Sequence, residues 1–162
     1  MAKEIERKFL VRSDDWQSAV TSETRMKQAY LVAGSDRSVR IRTRNDTTAQ
    51  LTLKFGTNSL VRDEFEYPVP YADALEMMGQ ATGTVIEKTR YTVSYRGFIW
   101  EIDVFGGAYQ GLVIAEVEMA SENDNPPLPL WLGREVTGDS RYSNQVLATQ
   151  RPRPELVHAI SH

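Results

Sequence analysis

Acidic and basic side chains recur along this sequence two residues apart, in same-sign sets. Glu4/Glu6, Glu64/Glu66, Glu101/Asp103 and Glu116/Glu118 are acidic pairs; Arg40/Arg42/Arg44 and Lys88/Arg90 are basic sets. On an extended chain, residues i and i+2 share a face roughly 6–7 Å apart, and like charges so placed repel. An open, solvated sheet gains little from that arrangement. A sheet closed into a barrel with its charged faces inward has a use for it. With Lys8 and Lys54 added, these faces carry seven cations and eight carboxylates. Unpaired buried charge is costly, so such an interior must be wet, cross-paired or liganded. A polyanion accompanied by divalent metal suits it. Arg and Lys hold phosphate oxygens, and hard oxygen ligands without His or Cys suit Mg²⁺ or Mn²⁺.

The elements that must position these groups follow from a period of two. Strands are expected at Lys3–Val11, Thr24–Ala33, Arg37–Arg44, Ala49–Gly56, Val61–Pro68, Thr84–Tyr95, Phe98–Phe105 and Leu112–Met119. In seven of these eight the polar face is charged. The separators are turn-like: Gly34-Ser35-Asp36, Asn45-Asp46, Gly56-Thr57-Asn58, Arg96-Gly97 and Gly106-Gly107. Short connections imply antiparallel neighbours. Helices are expected from Ser13 to Val20, from Tyr71 to Met78, from Pro126 to Leu132 after a proline-rich turn, and from Tyr142 to Thr149. Arg151-Pro152-Arg153-Pro154 should end the last of these. The expected fold is α+β, mainly β: an eight-stranded antiparallel closed barrel with a few flanking helices. One domain is expected over residues 1–150, with a C-terminal tail at 151–162.

The rest of the composition excludes other chemistries. The chain has 162 residues, no Cys, and two His, His158 and His162, in its last five residues. That removes disulfides, thiolate metal sites and a cysteine nucleophile, and argues against a zinc site or a Ser-His-Asp triad. A net charge of −3 argues against sequence-independent nucleic-acid binding. The start, MAKEIERKFLV, has no apolar h-region, and no apolar run approaches the ~20 residues of a membrane span. A cytoplasmic protein without membrane or nucleic-acid partners is expected, as a monomer or homodimer.

The run EIERK at Glu4 is the Glu-x-Glu-x-Lys signature of the CYTH superfamily, the triphosphate tunnel metalloenzymes. It is followed in order by YLV at Tyr30, VRIR at Val39, LTLK at Leu51, EFEY at Glu64, EKTRY at Glu87, EIDVF at Glu101, AEVE at Ala115 and VTGDSRYSN at Val136. Over nearly the whole chain the sequence resembles that superfamily, and most of all its short bacterial members, some of which act on inorganic triphosphate. The resemblance implies an eight-stranded barrel around a charged tunnel and hydrolysis of a terminal phosphate with Mg²⁺ or Mn²⁺. It also implies roles. Glu4, Glu6, Glu116 and Glu118 resemble the metal-ligating carboxylates. Glu64, Glu66 and Asp103 resemble tunnel acids near metal or attacking water. Arg40, Arg42, Lys54, Lys88 and Arg90 resemble the phosphate-binding cations. Lys8 resembles the signature lysine, Tyr30 the tyrosine that positions it, and Arg141 an arginine reaching the tunnel mouth.

Plainer readings stand beside these. Glu64 and Glu66 balance tunnel arginines as readily as they touch metal. Glu101 reads as a salt-bridge partner, Arg44 as a solvated strand end, and Tyr30 as core with a satisfied hydroxyl. Tyr142, Ser143 and Asn144 read as the cap of the last helix, and Trp16, Trp100, Trp131, Met77 and Met78 as packing. Alternative functions are a class IV adenylate cyclase making cyclic AMP and pyrophosphate, a thiamine triphosphatase, and a non-catalytic polyphosphate-binding module. The first two need a pocket for an organic group, for which no residues stand out. The third has no need of the acidic pairs.

Overall fold

The computed structural model describes residues 3–56, 61–150 and 156. Alternation of apolar and charged residues builds nine strands: β1 (Lys3–Val11), β2 (Val20–Ala33), β3 (Arg37–Arg44), β4 (Thr48–Phe55), β5 (Val61–Val69), β6 (Thr82–Tyr95), β7 (Phe98–Phe105), β8 (Val113–Glu118) and β9 (Leu132–Glu135). The sheet runs β5-β4-β3-β2-β6-β7-β8-β1, and β1 pairs back onto β5 through Lys3↔Asp63, Glu4↔Arg62 and Ile5↔Val61. These pairs close an eight-stranded antiparallel barrel. The extra strand β9 lies along the far half of β1. Two tight hairpins use residues at positive φ, Asn45-Asp46 (50° and 56°) and Arg96-Gly97 (48° and 85°), which matches the strands' own twist.

Register decides which way the charges point, because directly opposed residues share a face. Glu6 opposes Glu118 and Lys8 opposes Glu116; Arg40 opposes Thr52, which opposes Glu66; Arg90 opposes Asp103. All of these face inward. The outward faces carry the core. Phe9, Trp100 and Trp131 stack edge to face, with centroids 5.6 and 5.9 Å apart, beneath Trp16. Such pairs are worth about 0.5–1.5 kcal/mol each beyond the area they bury. The helix α1 (Tyr71–Met78) covers a second outer cluster with Ala29, Ile41 and Ala49, to which Met77 and Met78 contribute.

Toward one end, the inward face itself turns apolar. Leu10, Tyr30, Ile86, Phe105 and Ile114 meet Tyr142, Leu147 and Ala148 there. The helix α2 (Asn144–Thr149) thereby docks across the end of the barrel, its start capped by Ser143 Oγ, which accepts from the Val146 amide at 3.1 Å. The dry face is thus not wholly outside, as simple alternation suggests: the bore is plugged at one end.

Several expectations are corrected. Pro126–Leu132 forms no helix. Prolines 126, 127 and 129 lack amide donors and hold the segment extended, so Trp131 drops into the outer core and Leu132 begins β9. Ser13–Val20 contracts to a 3₁₀ turn at Asp15–Ala19, and β2 starts four residues earlier than Thr24. Tyr142–Thr149 splits into a 3₁₀ turn at Ser140–Tyr142 and α2. Thr57, Asn58, the Arg151–Pro154 stop, His158, His162 and all of the 151–162 tail except Leu156 lie outside the described residues. Among the described residues, no helix is long and apolar enough to cross a membrane.

Candidate active site

The barrel encloses a cavity of about 170 Å³ lined by Glu4, Glu6, Arg40, Arg42, Arg44, Lys54, Glu64, Glu66, Arg90, Glu101, Glu116, Glu118 and Asn144. Every lining side chain but Asn144 is ionisable, and each of the eight barrel strands except β2 supplies at least one of them. Ten of the expected site residues therefore converge on one bore. Two plainer readings change: Arg44 and Glu101 line it as well. Glu101 also serves as a salt-bridge partner, accepting from Arg90 at 3.3 Å. A second cavity of about 270 Å³ opens beside it and shares Glu6, Lys54 and Asn144 with the bore. Lys8, Tyr30, Arg37, Arg62 and the Val136–Ser140 loop line this vestibule.

The charges are sorted by wall. β1, β5 and β8 contribute Glu4, Glu6, Glu64, Glu66, Glu116 and Glu118, offset mainly by two lysines. Lys54 Nζ lies 3.0 Å from Glu4 and 3.5 Å from Glu64. Lys8 Nζ lies 3.7 Å from Glu116 and donates to the Tyr142 carbonyl at 3.2 Å. The excess negative charge shows in the proton affinities. Burial, with Glu116 and Glu4 nearby, pushes the Glu6 carboxyl well above its ordinary range. Burial and a hydrogen bond with Glu4 push Glu64 up to about 8. Glu118 is raised by burial and by the acids around it. Burial pushes Glu116 up as well, but Lys8 and Arg90 override it and hold this carboxyl low.

The opposite wall is basic. Arg40 and Arg42 are 5% and 4% exposed, and among the described residues neither has a carboxylate at ion-pair distance. Arg42 donates from Nε and Nη2 to Gln28 Oε1 at 2.9 and 2.7 Å. Arg40 Nη2 reaches Thr52 Oγ1 at 3.3 Å, while its Nε is buried without an acceptor. Burial, then the charges of Arg40 and Arg90, drag the Arg42 guanidinium well below its ordinary proton affinity. Buried cations left so are a site for an anion.

Three expected site residues sit elsewhere. Asp103, 2% exposed, faces inward beside Arg90 but is buried out of the cavity lining, with both oxygens committed: Arg90 donates at 2.7 and 2.8 Å and Lys88 Nζ stands 2.5 Å away. Burial pushes its carboxyl up, yet Arg90 and Lys88 override that and keep it ionised. Lys88 is buried beside it and also donates to Asn144 Oδ1 at 3.2 Å; burial and the repulsion of Arg90 and Arg42 bring its ammonium down to about 7. Arg141 is half exposed, clamped by Asp139 at 2.7 and 3.0 Å, and lines neither cavity, although Asp139 lines the vestibule. Gln28, Thr52 and Asn144 are polar contributors that the sequence reading passed over or assigned to a cap. Only the parity of Gln28 with Tyr30, and of Thr52 with Lys54, marks two of them in the sequence.

Among the described residues, no three carboxylates close on a ready-made metal cage. The acids stand instead as pairs across β1 and β8. That donor set fits an ion such as Mg²⁺, which commonly takes one or two carboxylates and completes its shell with waters and substrate phosphates.

Comparisons with known proteins agree with this geometry. The CYTH domain family model matches residues 2–148. The chain is similar to the inorganic triphosphatase of Acetivibrio thermocellus, 43% identical over 148 residues that make up 91% of this chain and 94% of that protein. It is 36% identical over 153 residues to the inorganic triphosphatase of Nitrosomonas europaea, covering 92% of this chain and 99% of that one. Among solved structures, it superposes on the crystal structure of the inorganic triphosphatase NE1496 with a TM-score of 0.68, at 33% identity, over 94% of this chain and 99% of that one.

Proposed function

The chain belongs to the CYTH domain family, and on that premise we propose that it is a divalent-metal-dependent triphosphatase that cleaves the terminal phosphate from inorganic triphosphate inside the bore. The observation that carries the reading is the sorting of charge: two buried arginines without carboxylate partners face a wall with a surplus of carboxylates. A polyphosphate answers the first wall and divalent cations the second, so the two ligands suit the bore together.

Roles follow from placement. Arg40, Arg42, Lys54 and Arg90 hold the phosphate oxygens and fix the chain along the bore, since phosphoryl transfer depends on positioning and charge neutralisation more than on covalent chemistry. Glu4, Glu6, Glu116 and Glu118 would hold the metal, Mg²⁺ or Mn²⁺. When bound, that ion neutralises phosphate charge and acidifies a coordinated water. Glu66, whose carboxyl is lowered by its bond with Glu64 and by Arg40 against the opposing effect of burial, accepts the proton of the attacking water. Glu64, its own carboxyl pushed up to about 8, supports it through their hydrogen bond. Water adds to the terminal phosphorus, the bridging P–O bond breaks, and pyrophosphate leaves toward the vestibule, where Lys8 meets its charge and Tyr30 limits the lysine's position. Asp103 acts through Arg90 and Lys88, which it orients. Arg141 and Asp139 shape the vestibule rim.

The bore lining also bears on substrate choice. Among the described residues, that lining offers no aromatic or aliphatic face on which a nucleobase or thiazole would pack, which favours the inorganic chain over ATP or thiamine triphosphate. The test is to incubate the protein with Mg²⁺ or Mn²⁺ and, in parallel, triphosphate, ATP and thiamine triphosphate, and to measure orthophosphate and cyclic AMP. Orthophosphate from triphosphate, dependent on the metal and in excess over the other substrates, is the expected result. Cyclic AMP from ATP would select a cyclase, and no product from any substrate a binding module.

A further inference from the structure

Two arginines in the bore are held by the same fork, with opposite consequences for charge. Arg90 gives Nε and Nη2 to the two oxygens of Asp103, a carboxylate, at 2.7 and 2.8 Å. Arg42 gives Nε and Nη2 to one oxygen of Gln28, an amide, at 2.9 and 2.7 Å. The geometry is alike, but Asp103 neutralises its arginine and Gln28 does not. An arginine only donates, so the amide oxygen must face Arg42 and the amide nitrogen must point away. That nitrogen, Gln28 Nε2, is buried without an acceptor in a side chain that is 0% exposed. A glutamate at the same place would leave no stranded donor and would gain an ion pair. The stranded Nε2 is thus a cost that the amide carries and a carboxylate would not.

We propose that Gln28 is a positioning residue for anion affinity: it fixes the Arg42 guanidinium toward the bore while sparing its charge for a phosphate group. This rests on the reading of the bore as a triphosphate site. Because Gln28 lies one diagonal step from Arg40 across the β2–β3 pairing, Arg40 Nε and Gln28 Nε2, both buried and unpartnered, sit in one patch. The bore wall there is left with positive charge and unused donors, while Arg90 on the same wall is neutralised by Asp103. The site thereby places its strongest anion field at Arg40 and Arg42 rather than spreading it evenly.

The discriminating variant is Q28E, with Q28M beside it. A glutamate can accept both N–H groups of Arg42 as the amide does, so a purely structural holder predicts that Q28E behaves as the native chain and Q28M does not. Charge sparing predicts instead that Q28E keeps stability but loses anion affinity. Q28E should fold with a thermal midpoint at or above that of the native chain, yet bind inorganic triphosphate about tenfold to a hundredfold more weakly in metal-free buffer by calorimetry. That is the effect of one unit charge roughly 6–8 Å away in an effective dielectric of about 20. The loss should appear as a raised KM with a smaller change in kcat. Q28M should lose both affinity and stability. Equal affinity of Q28E and the native chain, or no triphosphate binding by either, overturns the proposal. So does a Q28E that fails to fold, because a carboxylate there should hold Arg42 as Asp103 holds Arg90. A native chain that binds triphosphate but releases no orthophosphate with any metal would instead sink the hydrolase reading and leave the Gln28 comparison standing.

Discussion

Replacing Asp103 by Asn withdraws one negative charge from a buried triad. Lys88 and Arg90 both lean on it, and its side chain is 3% exposed while that of Lys88 is 0%. Breaking a buried pair by removing one partner costs about 3–5 kcal/mol, because the stranded charge cannot reach water. For a chain of this length that is a fall in thermal midpoint of roughly 6–20 °C. The sign with pH follows from Lys88. Its ammonium already titrates at about 7 in the fold, against an ordinary 10.5, and losing the attraction of Asp103 lowers it further. A depressed lysine means that the unfolded chain binds the extra proton, so stability rises with pH above the folded value. In the variant that rise starts below pH 7, and in the native chain near it. The deficit of D103N is therefore largest in acid, narrows as pH approaches 7, and stays level above. Thermal and urea unfolding of both proteins between pH 5 and 8.5 in metal-free buffer measures it. A deficit under about 1 kcal/mol at pH 5.5, or one that widens with pH, would show that the triad does not hold these cations as described.

Three further outcomes follow. The double variant E116Q/E118Q should abolish metal-dependent orthophosphate release while keeping the barrel, as read by circular dichroism; retained turnover would sink the assignment of the β8 acids. Glu64 is held at about 8 in the fold against an ordinary 4.5, so the folded chain carries the extra proton. The stability this gives is fully present below pH 4.5 and lost as pH rises through 8, on the order of a few kcal/mol; the thermal midpoint of metal-free protein should fall across that window, and E64Q should flatten the fall. Gly83 sits at φ +86° in β6, where an added Cβ would meet the Ala148 carbonyl oxygen at 2.2 Å and the Thr149 Cα at 2.7 Å. Gly83→Ala should displace α2 and cost roughly 2–4 kcal/mol, with the vestibule's activity falling alongside; a midpoint within 2 °C of the native one would show that α2 is not seated there.

Most of the barrel was legible because inward and outward residues alternate over most of each strand, with register shifts only in the pairings of β1 with β9 and of β2 with β3 and β6. β1, β3, β7 and α1 begin and end where the pattern starts and stops. Closure was legible only as a demand of the charges, since the β1–β5 pairing joins residues far apart in the chain, from Lys3↔Asp63 to Ile5↔Val61, and leaves no local mark. β9 was missed because four residues after a proline-rich run carry too little period to read; it forms because Arg7 reaches Glu135 at 2.8 and 2.9 Å and the Val136 amide reaches the Lys8 carbonyl. Arg44 and Glu101 were discounted as strand-end and pairing charges, yet the tilt of the strands brings both into the bore lining. Asp103 shows the opposite failure. Its parity matches Glu101 and it faces inward, but it is buried with Lys88 and Arg90 away from the cavity lining.

The link between fold and chemistry lies in the register. Opposed residues share a face, so pairing β1 with β8 and β8 with β7 sets Glu6 against Glu118 and Glu101 against Glu116, acid against acid. Like charges directly opposed are destabilising, and inside the bore only the Lys8–Glu116 pair at 3.7 Å among these oppositions favours that register. It is fixed from outside, where the same pairings bring Phe9, Trp100, Ile102, Ala115 and Val117 into one dry cluster. A slip of one residue would expose that cluster and turn the acids outward together. The outer core therefore holds in place an interior whose self-repulsion, offset in part by Lys8 and Lys54, is relieved further when cations and a polyanion enter. Ligand binding should then add to the stability of the fold in proportion to RT ln(1 + [L]/Kd), and it should do so most for the pair taken together, triphosphate with metal, because each ligand removes the charge that opposes the other.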